Sequence, residues 1–94
     1  DMWQILEHRN VLRRVRKMPT QVLKRYEKWK DIVQLSGPEG LRLIRGFDDE
    51  LPRGDWKCHR SSRMGDQYRV IYRVENKRLL VMVIELTAHD YRRK

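Results

Sequence analysis

The chain has 94 residues, enough for one domain with a modest core and too few for two. Apolar residues make up 39% of it, so it can fold, yet 37% is charged, and 22 Lys+Arg against 13 Asp+Glu leave a net +9 with a pI near 10.2. That excess is more than solubility requires and points to a polyanionic partner, nucleic acid ahead of an anionic membrane or an acidic protein.

The opening residues, D-M-W-Q-I-L-E-H, lack the apolar centre of a secretion signal, so a cytoplasmic chain is expected. Trp3 to Leu6 reads as a short strand. Val11, Leu12 and Val15 then stand among Arg9, Arg13, Arg14, Arg16 and Lys17, the spacing of a short helix over Asn10 to Lys17 with a strongly basic outer face. Pro19 interrupts it and is placed to open a second helix, where its missing N–H costs nothing. Val22, Tyr26, Trp29 and Val33 repeat at i, i+4, i+7 and i+11, joined by Leu23 and Ile32. This stripe is expected to be core, and Arg13, Arg14, Lys24, Lys28 and Lys30 either a solvated face or a surface that touches a large RNA by counterion release. Gly37-Pro38-Glu39-Gly40 stops the helix. From Leu41 to Arg53, apolar Leu41, Leu43, Ile44 and Phe47 anchor an irregular loop punctuated by Asp48-Asp49-Glu50 and Pro52-Arg53-Gly54.

From Asp55 the period becomes two. Trp56, Cys58 and Arg60 alternate with Lys57, His59 and Ser61. Cys58, the sole cysteine, excludes an internal disulfide and a cysteine-rich zinc site, fits a reducing compartment, and is expected as a small core residue. Met64-Gly65-Asp66 turns the chain, after which Tyr68, Val70, Tyr72 and Val74 alternate with Gln67, Arg69, Ile71 and Arg73. Glu75-Asn76-Lys77 turns it again. Arg78 to Leu86 is nearly all apolar, as a central strand covered on both faces would be, and is too short to cross a membrane. His89 to Lys94 forms a short basic tail. The layout is α+β, with two helices on one face of a three-stranded antiparallel meander. The other face is expected to be open and to present Lys57, His59 and Arg69.

Strands hold side chains rigidly, and cations fixed that way beside imidazoles suit a phosphodiester. RNA carries its own nucleophile, the 2′-hydroxyl. Cleavage needs a base for that proton, an acid for the leaving 5′-oxygen, and cations for the charge that builds on phosphate. Histidine serves either proton role, worth ~10²–10⁴-fold each, and arginine offers a permanently charged fork to phosphate oxygens. His59 and His89 are the candidates for the proton steps, flanking Arg69 if the strands pair in meander order. His8 is expected at the surface or as a helix cap. Arg69 alone would be an ordinary strand-face charge; Tyr91 is either a core-edge aromatic or a base-stacking one; Glu85 either orients a histidine or ends a strand. No glycine-rich phosphate loop and no metal-ligand spacing is present, so neither cofactor nor metal is expected.

The run H-R-S-S-R-x-x-x-Q-Y-R-V-I-Y-R-V, an apolar strand, then H-D-Y, resembles the RelE/ParE toxin superfamily, and within it the RelE/HigB/YafQ-type messenger-RNA interferases of bacterial type II toxin–antitoxin modules. L-R-L-I-R-G-F-D-D-E-L-P-R-G-D-W-K is similar to the lead-in of that family. The resemblance implies a RelE-like fold over residues 1–94: an N-terminal helical hairpin packed on one face of a small, mainly antiparallel sheet, with a short C-terminal tail. It implies a metal-independent endoribonuclease acting on mRNA, often on the 70S ribosome, and neutralised by a cognate antitoxin. By resemblance His59 falls on the position of the general base, Lys57 on one that stabilises the transition state, Arg69 on the phosphate contact, His89 on the general acid and Tyr91 on the C-terminal aromatic near the substrate. Arg60, Arg63 and Arg73 are expected to bind RNA phosphate or base. The Ser61 to Gln67 connection is longer than in RelE, so Arg60 and Arg63 stand as substitutes for Lys57 and His59. Two other functions remain open: a ParE-like toxin that inhibits gyrase by binding, and a non-catalytic RNA- or ribosome-binding module.

Overall fold

A computed structural model describes residues 2–52 and 58–88; Lys57, His89 and Tyr91 lie outside the described residues. The elements run β1 (Gln4–Glu7), α1 (Arg9–Val15), α2 (Thr20–Ser36), 3-10 turns at Pro38–Leu43 and Arg45–Phe47, β2 (His59–Arg63), β3 (Arg69–Glu75), a 3-10 turn at Asn76–Arg78, and β4 (Leu80–Thr87). The strands form one sheet in the order β1-β4-β3-β2. β2, β3 and β4 make the expected antiparallel meander. β1 lies parallel to β4, so the sheet has four strands rather than three and β4 is interior. An apolar run such as β4 is what a strand covered on both sides requires.

Local chemistry sets the helix limits. His8 caps α1, its Nδ1 accepting from the Asn10 N–H at 3.1 Å. Pro19 caps α2. Gly37 ends it with φ 77°, and a Cβ there would meet the Trp3 indole nitrogen at 2.6 Å, so this position takes no larger residue. The α2 stripe Val22, Tyr26, Trp29 and Val33 is buried as its period demands. It packs with Val11 of α1, Val70 and Tyr72 of β3, and Val81, Val83 and Leu86 of β4. Trp29 stacks on Tyr26 and meets Tyr72 edge-on, with centroids 5.8 and 5.3 Å apart. Lys30 is half-buried, not simply solvated: it pairs with Glu7 and Glu27 and lies over the Tyr26 ring. Cys58 corrects its expectation too. It is exposed, with φ 64°, because the chain turns there instead of running as strand. β2 therefore begins only at His59. No helix among the described residues is long and apolar enough to cross a membrane.

Candidate functional site

Strand alternation assigns each cation to a face. Ser62 and Arg60 pair with Val70 and Tyr72, which are core, and so belong to the helix side. His59, Ser61 and Arg63 share the far face with Arg69, Ile71 and Arg73. On that face the register makes two groups. Arg63 stands opposite Arg69, with Thr87 on Arg69's other flank. His59 stands opposite Arg73, with Met82 beyond. Four strand steps lead from His59 to Arg63, roughly 13 Å at ~3.3 Å each. His59 thus shares a face with Arg69 but does not flank it. The antiparallel register carries β2 away from Arg69 toward its own N-terminus.

The far face is also not open at Arg69, which is only 4% exposed, and Ser61, Ile71 and Thr87 are buried beside it. The cover is the acidic segment. The Glu50 N–H donates to Ser61 O at 2.9 Å and the Ser61 N–H donates to Glu50 O at 2.8 Å, a one-residue extension of the sheet outside β2. The chain turns through Asp48, whose φ is 45°, and the contacts set Asp48 and Glu50 on the Arg69 side and Asp49 on the helix side. Arg69 donates from Nη2 to the Asp48 carbonyl at 2.9 Å and from Nε and Nη2 to Ser61 Oγ at 3.2 and 3.0 Å. Its guanidinium stands 3.4 Å from Glu50 Oε2 and 3.6 Å from Asp48 Oδ2. Arg63 reaches the same Asp48 carboxylate at 3.7 Å and is 39% exposed.

On the other side the Asp49 carboxylate is fully buried. It accepts from Arg60 Nε at 2.8 Å, Ser62 Oγ at 2.7 Å and Tyr72 OH at 2.5 Å, while Trp29 Nε1 donates to Ser62 Oγ at 3.0 Å. Burial first, then the Asp49 charge and hydrogen bond, push the Tyr72 hydroxyl far above its ordinary range. For Arg60, burial works against the charged form, but the hydrogen bond and charge of Asp49 outweigh it and raise its pKa. Arg60, expected on RNA, is therefore turned to the helix side and neutralised there.

A β-bulge between Ile71 and Tyr72 shifts the β4 register, placing Leu86 in the core and Glu85 and Thr87 opposite Ile71 and Arg69. Thr87 leads through Ala88 toward His89, itself outside the described residues, as are Lys57 and Tyr91. Arg73 is an exposed strand charge with Glu75 3.5 Å away. Among the described residues no group of three or more His, Cys, Asp or Glu side chains is arranged to hold a metal. The residues missed in the sequence are Asp48, Asp49 and Glu50, which looked like loop punctuation. Their signal was three successive acids in a chain of net +9, ahead of two strands that carry Arg60, Arg63, Arg69 and Arg73.

No family model matches the chain, and no curated protein sequence does. Solved structures do. A chain of the archaeal RelE–RelB complex from Pyrococcus horikoshii superposes with a TM-score of 0.72 at 22% identity, over 93% of this chain and 94% of that one. The YoeB–YefM complex from Staphylococcus aureus gives 0.70 at 12% identity, over 95% and 99%. The toxin–antitoxin complex RelBE2 from Mycobacterium tuberculosis gives 0.62 at 16%, over 92% and 96%. Helices on a four-stranded, mostly antiparallel sheet, matched nearly end to end in each case, give this chain the fold of the RelE and YoeB toxins.

Proposed function

We propose that this chain is the toxin of a type II toxin–antitoxin module, an endoribonuclease that cuts mRNA on the ribosome and is silenced by a cognate antitoxin. The observation that carries it is the Arg69 centre. A strand-held guanidinium faces an exposed Arg63 across the ladder, a carboxylate of Glu50 lies 3.4 Å away, and the chain leaves β4 beside it toward His89. The likeness to chains of toxin–antitoxin complexes supports the partner.

In this mechanism Arg69 and Arg63 hold the scissile phosphate and stabilise the charge that builds on it. The phosphate competes with the carboxylates for the guanidinium, which frees Glu50 at the place where the 2′-hydroxyl proton must go. Glu50 then takes the general-base role in place of His59, which the register sets too far along the sheet. His89 donates a proton to the leaving 5′-oxygen. His59 and Arg73 contact RNA away from the scissile bond, while Lys57 keeps the transition-state role and Tyr91 the place near the substrate that the resemblance implies.

Primer extension on messages after induced expression tests this. Cuts inside translated codons are expected, and Glu50→Gln or His89→Ala should reduce them by ~10²–10⁴-fold each. Uncut messages accompanied by gyrase inhibition would replace the nuclease with a ParE-like toxin. Undiminished cutting by the Glu50→Gln, His89→Ala double variant would remove these two roles.

A further inference from the structure

We propose that Arg25 is a positioning residue for the reaction: its guanidinium ties the backbone of Arg63 to the turn that leads into Asp48 and Glu50, and so sets the spacing between the phosphate-holding arginines and the general base. This role rests on the proposed function and adds to it a residue on α2, away from the reacting atoms.

Val22, Tyr26 and Trp29 belong to the buried stripe of α2, so Arg25 stands at its margin and is half-buried. Among the described residues its charge meets a ring and a carbonyl rather than a carboxylate. Its Cζ lies 4.6 Å from the centroid of the fully buried Phe47 ring, and its Nε donates to the Arg63 carbonyl at 3.4 Å. Both partners border the site. Arg63 ends β2 and stands opposite Arg69. Phe47 directly precedes Asp48, whose carbonyl accepts from Arg69, and Glu50 follows two residues later, bridged to Ser61. One side chain therefore touches both walls. A planar guanidinium can do this because its face takes the ring while an edge N–H takes the carbonyl. Neither contact is strong, but rate is far more sensitive to spacing than stability is: a misplacement of about 1 Å can cost ~10²-fold.

Gly46 offers a way to move that guanidinium without removing it. A Cβ at position 46 would stand 2.6 Å from Arg25 Nη2. That atom is the end of a flexible side chain, and an open cleft of about 710 Å3 beside Arg25, lined also by Lys24, Lys28, Met64 and Tyr68, can receive it. Among the described glycines positive φ occurs at Gly37, so alanine fits the backbone at Gly46. Gly46→Ala should therefore push the guanidinium off Phe47 and Arg63 with little loss of stability.

The test is single-turnover cleavage of a ribosome-loaded message with the protein in saturating excess, so that the rate constant does not depend on the fraction of folded protein. Affinity is measured with the same message made uncleavable by a 2′-deoxy residue at the cut. Gly46→Ala and Arg25→Ala are each expected to lower the rate constant by about tenfold or more and to change affinity by less than about threefold. The unfolding temperature of Gly46→Ala is expected to match that of the unsubstituted chain. Because both substitutions act through one contact, the double variant is expected to cut no slower than Arg25→Ala. An undiminished rate constant in the single variants, or losses that multiply in the double variant, overturns the role. A loss of affinity as large as the loss of rate overturns it in favour of direct RNA binding by Arg25. An unsubstituted chain that does not cut, or a Glu50→Gln variant that cuts as fast, ends the nuclease reading and this role with it. Cutting that needs Glu50 but not Arg25 ends this role alone.

Discussion

The Asp48–Glu50 segment meets two different environments across the edge of one sheet. On the helix side, Asp49 is fully buried and accepts from a guanidinium and two hydroxyls. On the far side, Asp48 and Glu50 stay 44% and 36% exposed and meet Arg69 and Arg63 at 3.4 to 3.7 Å. A dry, fully hydrogen-bonded carboxylate is rigid, and losing it strands its partners. A half-solvated ion pair at longer range is weak and exchangeable. The first anchors the segment; the second leaves an arginine and a carboxylate able to part when a phosphate arrives.

Substitutions can break this contrast. Asp49→Ala should have the largest effect, on the order of 3–5 kcal/mol, because it leaves Arg60, Ser62 and Tyr72 without their shared acceptor. Urea unfolding measures it, and a loss below about 1 kcal/mol would mean that the segment is held elsewhere. Trp29→Phe removes the donor to Ser62 and some core volume, an expected loss of about 2 kcal/mol by the same measurement. Alkali should act next. Burial and the carboxylates of Glu7 and Asp49 raise the pKa values of Tyr26 and Tyr72 well beyond the usual tyrosine range. The unfolded chain then loses these protons first, at about pH 10, so their stabilisation is complete below that pH and falls above it, by up to ~1.4 kcal/mol per pH unit for each tyrosine. Tyr72→Phe should flatten the decline of the urea midpoint with pH; an equally steep decline in that variant contradicts the assignment. Asp48→Asn should be smallest, within about 1 kcal/mol in stability, since its pairs are half exposed. A loss as large as that of Asp49→Ala would erase the contrast.

The sequence showed most where structure is local. The α2 stripe, the His8 cap, the Gly37 stop, the β3 alternation and the apolar run of β4 follow from period and backbone chemistry within a few residues. It showed least where the chain meets itself across distance. Gln4 to Glu7 carry no mark of parallel pairing with Leu80 to Val83, because that pairing depends on α1 and α2 returning the chain. The bulge at Ile71/Tyr72 depends on matching two strands, and only it explains why Leu86 is core while Thr87 stands beside Arg69. For the site, the period-two pattern correctly grouped His59 and Arg69 on one face but held no register, so their separation was invisible. Nor did it disclose that Asp49 would draw Arg60 to the helix side, since that contact joins a loop to a strand over a gap in sequence.

The most direct test of the nuclease mechanism replaces a single ribose. A message loaded on ribosomes, carrying a 2′-deoxy residue on the 5′ side of the mapped cut, is incubated with the protein beside its all-ribose counterpart. Attack by the 2′-hydroxyl under Arg69, Arg63, Glu50 and His89 predicts cleavage of the all-ribose message and none at the substituted position. Equal cleavage of both, or cleavage of neither, would contradict it.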